Sequence, residues 1–331
     1  MPKVELHLHL EGAIPSSAMW ELFERHGGEP SVTTPEDLVD RFAYTNFAHF
    51  IETWVWKNRF LNTYEAFEYA AAAVARHLVE QNIVYAEAFF SPTDFRGFGL
   101  GAAELALAIR RGLDQVAGTE IALIVDLVRD TGGEAAIRTF DQVAEVASDA
   151  GVIGIGIGGS EAEYPPELFT AVYRTAGERG FRLTAHAGEA AGARSVWGAL
   201  RSLGVERIGH GVRSVEDPAL VDHLVDHQIP LEVCPTSNLR TGVVADWETH
   251  PAQALIEAGA MVTVNTDDPA MFHCSLAGEY DMLVARFGLG LGAVRRIAAN
   301  AIDASWAPEA TRQRLHCDQR RWWSSGAAEA R

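Results

Sequence analysis

Short, almost continuously apolar runs alternate along the chain with longer segments whose apolar residues recur every three or four positions. The runs are Val4–His9, Ile83–Phe90, Glu120–Leu127, Val152–Gly158, Arg182–His186, Arg207–His210, Pro230–Cys234 and Met261–Asn265. Their length and β-branched content predict strands. The amphipathic stretches between them predict helices, among them Ala102–Val116, Gly133–Ser148, Pro166–Arg179, Ala193–Leu203, Asp217–His227 and Pro251–Glu257. Strands apolar on both faces belong in a parallel sheet covered by helices, and eight βα units are the number that closes a barrel. The expected fold class is therefore α/β, a (β/α)8 TIM barrel. A doubly wound open sheet would call for a phosphate-binding glycine loop near its first strand, and no G-x-G-x-x-G follows one. Gly154, Gly156, Gly158 and Gly159 lie in or at the end of the fourth run, where close approach of a ligand or a packed neighbour accounts for them.

About seventy residues separate the first two strands, far more than a βα loop uses. The segments Ser16–Arg25, Pro35–Phe42, Phe47–Phe60 and Tyr64–Glu80 have helical period there. On a barrel this insertion, about residues 15–82, would lie over the C-terminal face, where active sites are built. No low-complexity linker or fixed-period repeat interrupts the chain. Residues 1–331 read as one barrel domain with a helical lid after strand one and a helical, Arg-rich tail from about 307 to 331.

Composition narrows the partners. With 27 Lys+Arg against 45 Asp+Glu the formal charge is −18, which repels a phosphate backbone, and no long Lys/Arg stripe reverses it locally. Nucleic acid is not an expected partner. The first ten residues lack a basic segment followed by an apolar run, and no later stretch is apolar for about 18 residues. Neither export nor membrane insertion is expected. Cys234, Cys274 and Cys317 are widely spaced without a C-x-x-C, as suits a reducing compartment, and a cytoplasmic location follows.

Candidate chemistry gathers at the ends of the apolar runs. The first ends in His7-Leu8-His9, and residues two apart on a strand face the same side. Others end in Thr184-Ala185-His186-Ala187-Gly188-Glu189, Gly209-His210-Gly211 and Asn265-Thr266-Asp267-Asp268-Pro269. Each cluster alone reads as a cap or loop. Four on one barrel rim do not, because buried imidazoles and carboxylates are costly unless paired or metal-bound. His7, His9, His186 and Asp267 make a set of three nitrogens and one oxygen suited to zinc, one ion per chain, with a position left for water. Zinc would lower the pKa of that water toward ~7. Glu189 is then the candidate proton donor and His210 the candidate base or electrostatic partner. The tandem Asp267-Asp268 allows one carboxylate on the metal and the other on substrate, and the ensemble points to metal-assisted hydrolysis.

Pro2-Lys3-Val4-Glu5-Leu6-His7-Leu8-His9-Leu10-Glu11-Gly12, His186-Ala187-Gly188-Glu189, Gly209-His210-Gly211, Cys234-Pro235-Thr236-Ser237-Asn238 and Asn265-Thr266-Asp267-Asp268-Pro269 together resemble the adenosine/adenine deaminase family of the amidohydrolase superfamily. The ordered match spans about residues 2 to 280. The resemblance implies zinc-dependent hydrolytic deamination at C6 of a small-molecule purine nucleoside or base. It implies that Glu189 shares a proton with purine N1, that His210 orients and deprotonates the water, and that Asp268 holds the attacking oxygen and contacts N7. It also implies that Gly159 offers its N–H to N3. His9 and Glu11 would complete the substrate contacts, Glu11 standing where adenosine enzymes have an Asp on the ribose 5′-hydroxyl.

The substrate signals conflict. Glu11 is common among adenine deaminases, whereas Gly209-His210-Gly211 and Thr266-Asp267-Asp268 look like the nucleoside enzymes. In the lid, Trp54 and Trp56 offer more aromatic area than a ribose needs, and Lys57 or Arg59 would pair a carboxylate. Lid packing is the plain alternative for the two tryptophans. Read functionally, they suit a nucleoside with a large 5′ substituent, such as 6-amino-6-deoxyfutalosine. Two other functions are conceivable on this scaffold. A catalytically silent binding protein on the same scaffold would be expected to have lost at least one of the site residues. An amidohydrolase with two metals would carry a carboxylated Lys after strand four, and that strand contains none.

Overall fold

The computed structural model describes residues 1–44 and 47–326. Eight parallel strands follow one another in chain order: β1 (Lys3–His9), β2 (Ile83–Phe90), β3 (Glu120–Asp126), β4 (Val152–Gly156), β5 (Arg182–Ala187), β6 (Arg207–His210), β7 (Leu231–Val233) and β8 (Val262–Val264). The seam between the last strand and the first is joined just beyond β8. Asp267 donates its N–H to the His7 carbonyl at 3.0 Å, and His9 donates its N–H to the Asp267 carbonyl at 2.8 Å. The expected (β/α)8 barrel is present, and the residues that draw its ends together are three of the expected metal ligands.

The strands look apolar in sequence because helices cover their outer faces, yet several polar and charged side chains point inward. Glu5, Glu87, Arg207, Glu232 and Asn265 are all buried, and such groups persist only when paired. Arg207 meets Glu87 Oε2 and Glu232 Oε1 at 2.6 Å each. Glu5 Oε1 accepts from the N–H and hydroxyl of Thr266 at 2.8 and 2.6 Å. Beneath this layer, Ala301, Ile302, Ala304, Ala307 and Leu315 pack on Val4 and Leu6 and close the N-terminal end of the barrel.

Four helices form the insertion over the opposite end: α1 (Ser16–Arg25), α2 (Pro35–Arg41), α3 (Phe47–Asn58) and α4 (Tyr64–Glu80). Local chemistry sets their starts. Thr34 and Asp37 cap α2 reciprocally, at 3.1 and 3.0 Å, and the Thr63 hydroxyl accepts from the Ala66 N–H at 3.1 Å to open α4. Two expected continuous helices divide. Pro166–Arg179 becomes a tight turn, Pro166–Phe169, and a helix, Thr170–Glu178, while Ala193–Leu203 ends in a π-helical turn from Ala199. The tail is helical over Glu309–Ser324, and residues 327–331 lie outside the described part. Among the described residues no helix is long and apolar enough to cross a membrane.

Candidate active site

The C-terminal mouth of the barrel brings the expected ligands together. His7 Nε2 and His186 Nε2 stand 3.0 Å apart, and His9 Nε2 is 3.1 Å from the same His186 atom. Asp267 Oδ1 lies 3.3 Å from His9 Nε2 and 3.6 Å from His7 Nε2. The outer nitrogens are engaged: His7 Nδ1–H donates to Glu232 Oε2 at 2.8 Å, and His186 Nδ1–H to the Ile157 carbonyl at 3.1 Å. With those protons on Nδ1, two bare Nε2 lone pairs face each other, an arrangement that repels unless a cation lies between them. Four donors around one zinc at its usual ligand distances are separated by about 3.3 Å. The chain's own side chains therefore fit a zinc ion. Burial, reinforced by the neighbouring imidazoles, holds His7 and His186 well below the ordinary histidine range, leaving both neutral as ligands must be.

His210 stands at the edge of this cluster. Donor atoms of His7, His186, His210 and Asp267 all fall within 4.8 Å of one another, but His210 Nε2 also lies 3.6 Å from Glu189 Oε2 and 3.9 Å from Asp267 Oδ2. Among the described residues that nitrogen has no hydrogen-bond partner although it is buried. Behind it, Asn238 Nδ2 is 3.2 Å from His210 Nδ1. Both His210 and Asp267 adopt the left-handed backbone, with φ of 60° and 65°, a conformation that a non-glycine residue holds only where the surroundings enforce it.

Glu189 follows β5 in a loop fastened by Glu161, whose carboxylate accepts the N–H groups of Gly188, Glu189 and Ala191 at 2.6, 3.1 and 2.9 Å. Burial, added to by the charges of Asp267 and Glu161, pushes the Glu189 carboxyl well above the usual range, so it keeps its proton. Asp268 is raised for the same first reason, with Asp267 next to it. Its position depends on Gly12, where a Cβ would come 1.7 Å from Asp268 Oδ1. Gly159, at φ 97°, makes no hydrogen bond through its N–H among the described residues and lies on the cavity wall.

A cavity of about 440 Å³ opens from this cluster to the lid. His9, His186, Glu189, His210, Asp267 and Asp268 line its floor, while Phe50, Ile51, Trp54, Val55 and Arg59 supply the lid side. The placement of the other expected contacts is mixed. Trp54 is on the wall, donating Nε1–H to Asp94 Oδ2 at 3.1 Å. Trp56 is instead buried in the lid, against Phe23 and Phe60 and hydrogen-bonded to Glu29, and it does not line the cavity. Arg59 reaches the mouth half-exposed, 3.9 Å from Glu29. Glu11 is wholly buried off the cavity, its Oε1 accepting the Ser91 N–H at 2.9 Å. The residues that sequence reasoning missed are supports: Glu232 behind His7, Ser237 donating to Asp267 Oδ2 at 2.6 Å, Asn238 behind His210 and Glu161 under the Glu189 loop. A lone Glu inside the apolar run around residue 232, and the place of Ser237 and Asn238 in the Cys234-Pro235-Thr236-Ser237-Asn238 motif, were the legible signals among them.

A parallel barrel with a buried histidine–carboxylate cluster, a protonated acid and an unpartnered imidazole at its mouth defines a metal-dependent hydrolase. The adenosine deaminase family model matches residues 2–319, and the chain belongs to the adenosine deaminase family. It is 35% identical over 320 residues to the aminodeoxyfutalosine deaminase of Streptomyces avermitilis, covering 95% of this chain and 89% of that one. It is 37% identical over 311 residues to the adenine deaminase of Bordetella parapertussis, covering 93% and 97%. An amidohydrolase from Burkholderia ambifaria solved with bound zinc superposes with a TM-score of 0.90 at 28% identity, covering 99% of this chain and 92% of the other.

Proposed function

We propose that this chain catalyses zinc-dependent hydrolytic deamination of the 6-amino group of an adenine nucleoside with an extended 5′ end, 6-amino-6-deoxyfutalosine being the type to test. The observation that carries this reading is the continuity of the cavity. It runs from the Glu189, His210 and Asp268 floor to an apolar wall on the lid, where Ile51 and Val55 stay 38% and 60% exposed, more surface than a bare purine needs. Arg59 at the mouth is placed to meet a carboxylate on that extension. Relatives acting on aminodeoxyfutalosine and on adenine agree with deamination of an adenine-type substrate. The chain would work as one unit, lid included.

His7, His9, His186 and Asp267 would hold one zinc ion, whose contribution is a water acidic enough to ionise near neutral pH. The remaining work belongs to the chain. Glu189, protonated by its burial, donates to purine N1 and makes C6 electrophilic. His210 Nε2 takes a proton from the attacking water, and Asp268 accepts the second hydrogen bond that aims the oxygen at C6. The Gly159 N–H meets N3. The amino group then takes the proton held by His210, the C6–N bond breaks and ammonia leaves, while the hydroxyl proton passes by way of Asp268 to solvent and the 6-oxo purine remains.

Glu11 favours a second reading. Buried beside the cavity without lining it, its Oε1 accepting the Ser91 N–H, it offers no ribose contact, which would suit the free base adenine. Turnover of 6-amino-6-deoxyfutalosine, adenosine, 2′-deoxyadenosine and adenine, compared side by side, separates the two. The extended nucleoside is expected to give the highest kcat/KM, and preference for adenine would reverse the assignment.

A further inference from the structure

Lys57 lies on α3 with 2% of its surface exposed, and a buried ammonium needs partners to persist. Its Nζ donates to the Glu11 carbonyl at 2.5 Å and sits 4.2 Å from the centre of the Trp54 ring. The carboxylates of Asp268, Glu11 and Asp94 supply the surrounding negative charge. Trp54 is therefore held twice, by Lys57 over its face and by Asp94 at its N–H edge. Its ring stands edge-on to His9, with centroids 6.3 Å apart. Trp54 lines the cavity, whereas Lys57 stays behind it. Ile51 and Val55, within a turn of Trp54 on the same helix, remain exposed.

We propose that Lys57 is a positioning residue that pins the lid helix to the end of β1 and fixes the Trp54 ring as a preset wall for the sugar side of the substrate. A wall already ordered before binding spares the substrate the cost of immobilising a large side chain, so the gain falls on binding rather than on the chemical step. The consequence for catalysis rests on the nucleoside reading above; the state of Trp54 in the free protein does not.

The test compares Lys57→Met, which keeps length and burial but removes the charge, with Lys57→Arg, which keeps a cation able to cover the ring. Acrylamide quenching of the zinc-loaded, substrate-free protein, taken as the difference from Trp54→Phe, reads the tryptophan directly. It should rise in Lys57→Met and return in Lys57→Arg. KM for the nucleoside should rise roughly five- to thirty-fold in Lys57→Met, the scale of a lost buried cation–π contact, with kcat and zinc content little changed. In a Trp54→Ala background the same change should add almost nothing. Should Lys57→Met fail to fold, Lys57→Gln is measured in the same way. Unchanged quenching, or a KM rise that persists undiminished without Trp54, would overturn the proposal. If the wild type turns over no adenine compound, the functional reading fails while quenching still decides the role of Lys57.

Discussion

In the proposed reaction Glu189 carries the proton on which deamination depends, and its environment explains how a carboxyl group keeps one. Because its folded pKa is raised, the competent acid form is present at low pH and is lost as pH rises through that value. Glu189→Gln is expected to lower kcat by about 10²- to 10⁴-fold with zinc content intact, and to erase the alkaline limb of the kcat/KM profile; stopped-flow absorbance across pH measures both. Gly12→Ala tests the seat of Asp268. A methyl group cannot occupy the space 1.7 Å from Oδ1, so displacement of that carboxylate should cost about a hundredfold in kcat/KM, while a neutral outcome would detach Asp268 from the chemistry. At this scale the sequence was informative wherever a polar residue ended an apolar run, as with His7, His9, His186 and Asp267. It marked Ser237 and Asn238 only as part of a motif, because their roles depend on partners 30 and 28 residues away that only folding brings near.

The lid shows what an element adds to a list of residues. Trp54 and Trp56 are two positions apart on α3, and at about 100° per residue they point to nearly opposite sides of the helix. Only one of them can face the cavity; the other must pack, as Trp56 does against Phe23 and Phe60. The helices themselves were legible because apolar period marks their extent, but nothing in that period says which face meets a ligand. Trp56→Ala is accordingly expected to cost about 3–5 kcal/mol of stability. Trp54→Ala should instead raise KM with a small change in Tm, and chemical denaturation beside steady-state kinetics distinguishes them.

Across the whole molecule, strand count and chain order were readable from the alternation of apolar runs, whereas the pairing of the charged interior was not, since Glu87, Arg207 and Glu232 stand on three separate strands that only folding brings together. Burial of isolated polar groups also sets a global pH response. His250, between Trp247 and Phe287, accepts the Ala252 N–H through Nδ1 at 3.1 Å, and burial lowers its pKa from 6.5 to about 4. The neutral ring is the folded form, so its contribution to stability is complete above pH 6.5 and is lost as pH falls through the window down to 4, by about 3 kcal/mol at most. Unfolding free energies of the wild type and His250→Phe between pH 7 and 4 should show a shallower acid slope in the variant.

The central claim is that three histidines and one aspartate at the closing seam of the barrel hold a single zinc ion that the deamination requires. Its most direct test is to strip the protein of metal and titrate zinc back while following ammonia release from 6-amino-6-deoxyfutalosine and adenosine. Activity is predicted to be absent at the start, to rise in proportion to zinc and to level off at one ion per chain. Full turnover by the metal-free protein, or a plateau reached only at two ions per chain, would contradict it.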